Sequence, residues 1–216
     1  MTGKRNYSRT IVDRIKMFLD ANEWKYSFDA DAGVFRLGVH ISEGCMLDSV
    51  NVYLAVKETS ICTYALFPIQ APFKDAEVMA RLAEFICRSN YNLKQGCLEV
   101  DYQDGELRYR CYIDSEGIIF SDEVIANSIY CSTAMLENFS YGLIGIIFCN
   151  MSAVEAVKTC ELARMRIYLK RKGVEEEEAE RLLAECKRRM DAAEAGAEET
   201  VADLDNNSVA NDKDAK

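Results

Sequence analysis

Two carboxylates stand two residues apart, at Glu99 and Asp101, in the stretch LEVDYQDGELRYR. On one face of a strand that spacing could serve general acid–base chemistry, with one carboxyl protonated and the other ionised. The arginines at 108 and 110 point elsewhere. Asp104-Gly105 reads as a two-residue hairpin loop, because a type I′ turn needs positive φ at both central positions and these residue types tolerate it. Such a loop sets Glu99 opposite Arg110 and Asp101 opposite Arg108. The other face then carries Leu98, Val100 and Tyr102 against Cys111, Tyr109 and Leu107. A carboxylate matched by a guanidinium stays ionised. The pattern is therefore predicted to fix strand pairing, since a slip of one residue would turn arginines into the core.

The remaining chemistry-bearing residues are dispersed. His40 is the only histidine, so a Ser-His-Asp or Cys-His arrangement would have to use it, and a histidine-rich metal site is excluded. In VFRLGVHI it shares a strand face with Arg36, opposite Phe35, Leu37 and Val39, and reads as a solvent-face residue. The nine cysteines never form C-x-x-C and are odd in number; zinc ribbons and closed disulfide frameworks are not indicated. They read as small buried hydrophobes in a reducing compartment. G-L-I-G at 142–145 lies in an apolar run and fits close helix packing better than a phosphate-contacting loop. No G-x-G-x-x-G, P-loop, H-E-x-x-H or G-x-S-x-G occurs. No catalytic, cofactor-binding or metal-ligating set emerges.

Composition narrows the class further. The chain has 216 residues, 49% of them hydrophobic, with eleven tyrosines and nine phenylalanines, enough for one domain with an appendage. Of the net charge of -10, residues 174–216 account for -8, with 14 acids against 6 bases. Residues 1–173 hold 22 acids against 20 bases, and such near-neutrality disfavours nucleic-acid binding through a broad basic face. The opening MTGKRNYSRT is not expected to act as a secretion signal. The longest apolar run, from Phe139 to Met151, is shorter than the roughly 20 residues of a membrane-spanning helix.

These residues need elements to hold them. Ile11, Ile15, Phe18 and Leu19 follow helical spacing from Ser8 to Asn22, with Ser8 or Thr10 capping the start and Asn22 left-handed at the end. The period then becomes two: Trp24, Tyr26 and Phe28; Phe35, Leu37, Val39 and Ile41; Val50, Val52, Leu54 and Val56; then ICTYALF. Four consecutive strands imply an antiparallel meander with one face on a core, closed by Pro68 and Pro72. Val78, Leu82, Phe85 and Ile86 mark a second helix, from about 74 to 90. The hairpin follows, with Asn90 as helix terminator and Gly96 as entry glycine. Ser121 can cap a third helix whose stripe runs Ile125, Ile129, Ser132, Leu136, Phe139, Leu143 and Ile146, predicted to pack on this domain's own sheet, with a dimer seam against a twin helix as the alternative.

The order of these elements resembles the YbjN family, bacterial domains similar in fold to type III secretion chaperones. Asn90, the spacing to Gly96, LEVDYQDGELRYR, the following I-D-S-E-G and the early WKYSFDADAGVFRLG carry the resemblance, which covers roughly residues 8–148. It implies a helix-flanked antiparallel sheet and a non-catalytic role, as a monomer or homodimer, in binding protein partners or in regulation.

Beyond residue 150 that resemblance offers no guide. Ser152 and Glu155 form an S-x-x-E capping box, YLKRKG ends one helix, and VEEEEAERLLAECKRRM begins another whose apolar stripe is Leu182, Leu183, Cys186 and Met190. From 195 onward the sequence lacks aromatics and periodicity and reads as a disordered acidic tail. The expectation is an α+β chain: 1–150 with an antiparallel sheet of about five to six strands and three flanking helices, like a type III secretion chaperone, 151–194 as a charged helical extension, and 195–216 as a tail. The expected function is a non-enzymatic, cofactor-free protein- or peptide-binding module, chaperone-like or a regulatory adaptor in the bacterial cytoplasm, using an exposed sheet edge or a hydrophobic groove. The alternative is a small-molecule or thiol-dependent enzyme built from dispersed residues such as Cys45, His40 and nearby acids. A third reading gives residues 152–194 a role in self-assembly.

Overall fold

The computed structural model describes the backbone of residues 6–41, 46–91, 93–118 and 120–211, and side chains as far as residue 193. The fold is α+β. Helix α1 (Arg9–Ala21) is followed by strands β1 (Tyr26–Asp29), β2 (Val34–His40), β3 (Ser49–Val56) and β4 (Ser60–Leu66), helix α2 (Ala76–Asn90), strands β5 (Cys97–Val100) and β6 (Leu107–Asp114), and helix α3 (Asp122–Phe148). The six strands form one sheet in the order β1-β2-β3-β4-β6-β5, every neighbouring pair antiparallel. The chain divides into two compact units, Met1–Cys160 and Glu161–Lys216.

Alternation decides which face of the sheet is buried. Phe35, Leu37 and Val39 of β2, Val50, Val52, Leu54 and Val56 of β3, Ile61, Thr63 and Ala65 of β4, and Leu107, Tyr109 and Cys111 of β6 all point inward. Helices cover that inner face. Helix α3 lies against β4 and β6, with α2 beside β5, and α1 adds Ile11, Val12, Ile15, Phe18 and Leu19 to the same core. The stripe Ile125, Ile129, Ser132, Leu136, Phe139, Leu143 and Ile146 is fully buried, as its spacing predicts. In that helix Gly142 and Gly145 are packing glycines: an added Cβ would stand 2.6 Å from the Phe85 ring at the first and 2.7 Å from the Met151 sulfur at the second. Glu137 is also buried, its two carboxylate oxygens accepting the backbone N–H groups of Met46 (2.9 Å) and Leu47 (3.3 Å).

Ends of elements differ from the sequence expectation in several places. Ser8 caps α1 by accepting from Ile11 N–H, but the left-handed residue is Glu23 (φ 54), not Asn22. The helix ends at Ala21 with Asn22 as its C-cap, and the closing bond, Trp24 N–H to Leu19 C=O at 2.9 Å, puts the reversal at 23. Asn90 is not left-handed either. Its amide instead donates to Leu98 C=O (2.9 Å) and accepts from Leu98 N–H (2.8 Å), bracing an edge strand. Ser121 stands at the α3 cap position without a capping bond; its hydroxyl pairs with Glu123, holding that carboxyl below its usual range.

The hairpin is the largest correction. Only Gly105 has positive φ (80°), so the type I′ turn is absent. The register is Leu98↔Tyr109, Glu99↔Arg108 and Val100↔Leu107, two residues from that of a two-residue loop. Residues 102–105 form the loop, closed by Asp101 N–H to Glu106 C=O and Gly105 N–H to Asp101 C=O, each 2.9 Å. The Asp101 and Asp104 side chains accept from the N–H groups of Gln103 and Glu106. Gly105 C=O accepts from Ala71 N–H at 2.8 Å, and an added Cβ at 105 would lie 2.2 Å from Ala71 O. Docking on the segment after β4 therefore overrides the local turn preference. Because the shift is even, the apolar and charged faces survive it, although Tyr102 leaves the inner face and is exposed.

Beyond α3 the first unit continues into helix α4 (Ala153–Arg171), whose Ala153, Ala156 and Cys160 are buried in the main core. Its compact limit thus falls at 160 rather than at the composition break near 150. The capping box is present, Glu155 N–H donating to Ser152 Oγ (3.2 Å) and Ser152 N–H to Glu155 Oε2 (3.0 Å). The second unit holds the rest of α4 and helix α5 (Glu176–Asn211). Leu169, Ala179 and Leu183 form a small separate core, Gly173 reverses the chain at φ 70, and Arg166 reaches Glu176 (3.5 Å) and Glu180 (2.5 Å). Composition ends this helix at 194, yet its backbone stays helical to Asn211.

Candidate functional site

The alternation that fills the core leaves the opposite face of the sheet bearing a continuous set of side chains. One row crosses all six strands: Ser27–Arg36–Tyr53–Tyr64–Arg110–Cys97. At about 4.8 Å between strands it is about 24 Å long. A second row runs Gly38–Asn51–Leu66–Arg108–Glu99, and a third contains Val34, Ala55, Cys62 and Tyr112. Tyr53, Tyr64, Leu66, Ala55 and Cys62 are half-buried, and Tyr112 is exposed. These residues fall on this face because valines, leucines and isoleucines occupy the intervening positions, so hydrophobic burial aims the tyrosines outward.

At the β5–β6 end the charges are organised around one acid. Glu99 accepts from Arg108 Nε at 2.9 Å and Arg110 Nε at 2.6 Å. Burial raises the Glu99 pKa, but the hydrogen bonds from Arg110 and Arg108 outweigh it and hold the carboxyl below its usual range. Arg108 also meets Glu106 at 3.1 Å and lies over the Tyr64 ring, 4.7 Å from its centroid. The Tyr64 phenol is pushed up to about 12, first by burial and then by its hydrogen bond with the Cys62 thiol. Of the two acids singled out in the sequence, only Glu99 joins this network; Asp101 belongs to the loop.

The other residues singled out are not brought together. His40 is exposed on this face, its Nδ1 2.9 Å from Asp48 C=O, while Cys45 lies outside the described residues. The expectation that the cysteines are buried holds for Cys111 and Cys160 only. Cys87 and Cys149 are exposed and the other four described cysteines are intermediate; none of the eight is joined in a disulfide among the described residues. Several fall on outward strand positions or at helix ends, where burial ceases. Burial raises the thiol pKa of Cys97, of Cys131 and, to about 11, of Cys111, the direction opposite to an activated thiolate. Among the described residues no group of three or more His, Cys, Asp or Glu side chains is placed to hold a metal ion, and no helix is long and apolar enough to cross a membrane.

Sequence reasoning missed Tyr53, Tyr64 and Asn51 as members of a surface. The signal was available in the parity of VNVYLAV and ICTYALF, where each lies out of phase with the core residues. Two recesses adjoin the face. One, of about 530 Å³, separates α2 from β5 and is lined by Ile86, Val100, Tyr102 and Arg108 among others. The second, of about 390 Å³, lies over Gly38.

No family model matches the chain, and no curated protein matches it by sequence. Among solved structures, it is similar to that of YbjN from E. coli, described there as a candidate transcription regulator, at 12% identity over 58% of this chain and 85% of that one, with a TM-score of 0.44. This likeness is partial and does not make the chain a member of that family.

Proposed function

We propose that this chain is a non-catalytic protein-binding module, chaperone-like or regulatory, that works in the bacterial cytoplasm and receives a partner protein on the outer face of its sheet. The observation that carries this reading is the row Arg36–Tyr53–Tyr64–Arg110. Tyrosine and arginine are the residue types that concentrate binding energy at protein interfaces, since each combines a large contact area with hydrogen-bonding capacity. Hydrophobic burial sets the outward direction of these positions but does not call for tyrosine or arginine at them. Arg36, Arg108 and Arg110 are matched by Asp29, Glu99 and Glu106, so little positive charge is left to neutralise a phosphate backbone. The raised thiol pKa values support binding over thiol chemistry. A second copy of the chain is itself a candidate partner, as a homodimer.

The test is affinity purification from native cytosol with the full chain and with a Tyr53→Ser, Tyr112→Ser variant, followed by mass spectrometry. The expected result is a reproducible protein, or a self-associated chain, held by the parent sequence and lost from the variant at equal thermal stability. Equal recovery by both chains, or a co-purifying metabolite with no protein, would overturn the proposal.

A further inference from the structure

Gly38 is a residue of the outer face that the fold does not explain. It lies within β2, opposite Asn51, and is absent from the positive-φ glycines, which are Gly33, Gly96, Gly105, Gly117 and Gly173. A Cβ added at Gly38 would meet nothing within 4 Å. Gly142 and Gly105, by contrast, sit where an added Cβ would collide. A glycine inside a strand is worse than alanine by roughly 0.5–1 kcal/mol. Where neither backbone conformation nor packing requires one, it commonly marks the close approach of a ligand or another backbone.

The notch over Gly38 has a one-sided chemistry. Its polar lining is Lys25, Tyr26, Arg36, Asn51 and Tyr53, with no acid among the lining residues, and the Tyr26 hydroxyl is already given to Asp20 at 2.9 Å. Lys25 is exposed and has no ion-pair partner among the described residues. Arg36 gives one N–H, from Nη2, to Asp29 Oδ2 at 3.2 Å, leaving the remainder of a five-donor fork. That Asp29 carboxylate is also occupied by the backbone N–H groups of Asp31 (3.1 Å) and Ala32 (3.0 Å). An ammonium, a guanidinium, an amide and a phenol around a site without a side chain form a donor set suited to a carboxylate. Two cations are too few to track a nucleic-acid backbone.

We propose that this notch is a carboxylate subsite of the outer face: an extended segment of a partner protein passes its backbone over Gly38 and places an Asp or Glu side chain against Lys25 and Arg36. The assignment rests on the protein-binding reading above and adds to it the chemistry of the partner. The ring of Tyr53 supplies one wall, and Lys25 supplies a charge that no described residue matches.

The test uses the full chain to select linear peptides from a displayed random library, followed by affinity measurement on the recovered peptides. Gly38→Val fills the notch, its Cβ having nothing within 4 Å, and its melting temperature is expected to equal or exceed that of the parent. Recovered peptides should contain Asp or Glu, and changing that residue to Asn or Gln should weaken binding about tenfold. Gly38→Val should weaken it comparably, and Lys25→Gln should produce a loss not additive with the peptide substitution. Peptides free of acids, undiminished binding to Gly38→Val, failure to recover any peptide, or competition by a single-stranded oligonucleotide would each overturn the subsite. If binding survives Gly38→Val but is lost with Tyr53→Ser, Tyr112→Ser, the notch fails and the outer-face reading stands. If neither variant matters, both fail.

Discussion

At Glu99 one carboxylate serves two guanidiniums, and the energetic consequence depends on pH. Its folded-state pKa lies below the ordinary glutamate value of 4.5, so the stabilisation is fully present above that value and is lost as pH falls through the folded pKa. Glu99→Gln should cost about 1 kcal/mol at pH 7, a modest figure because the pairs are only partly buried. Denaturant unfolding of both chains should show that difference shrinking to nothing in acid. A constant difference across pH would show that the charge is not responsible. Glycines give a second contrast. Gly142→Ala must displace the Phe85 ring and the Cys160 sulfur, 2.6 and 2.9 Å from the new Cβ, and should destabilise by about 1–3 kcal/mol. Equal stability of the two chains in urea would contradict the close packing of α3. What the sequence could not reveal at this scale is pairing over long range. Glu137 lies within an apolar stripe, and its partners, the N–H groups of Met46 and Leu47, are 91 and 90 residues away.

The secondary elements were legible wherever burial repeats with a fixed period. Helices α1 to α3 follow their apolar spacing, and β1 to β4 follow alternation, because the hydrophobic effect selects the face regardless of the partner. Element ends were less legible, since a turn is settled by what it docks on. The Asp104-Gly105 signal was real, but Ala71 holds Gly105 in a different reversal. Asn90 shows the same limit: its residue type suits a left-handed terminator, while its actual work is to pair with both backbone groups of Leu98. Edge strands expose unpaired backbone groups, and this side chain closes part of the β5 edge. Asn90→Ala should therefore cost about 1–3 kcal/mol and speed amide hydrogen exchange at Leu98 and its neighbours more than in β3. Unchanged protection at Leu98 would remove the bracing role. The outer surface was partly legible too, because parity alone aims Tyr53 and Tyr64 away from the core, but the row they complete required the register of all six strands.

Across the whole chain, two units that are both acidic, 21 acids against 15 bases in residues 1–160 and 15 against 11 in residues 161–216, are joined through α4. The first unit needs the start of α4, since Ala153, Ala156 and Cys160 are buried with Phe85 and the glycine face of α3. A chain ended after residue 150 should be less stable than one ended after residue 172 by about 2–5 kcal/mol, the scale of removing well-packed core side chains. Equal urea midpoints would mean that α4 is dispensable to the core. The central claim is that the outer face of the sheet is where a partner protein sits. It is tested most directly by placing a photo-crosslinking residue at Tyr64 or Tyr112, with helix-surface positions Met17 and Glu84 as controls, and irradiating the full chain in native cytosol. The account predicts one reproducible protein adduct from the two sheet positions and none from the helices. Adducts from the helix positions alone, or from none of the four, would contradict it.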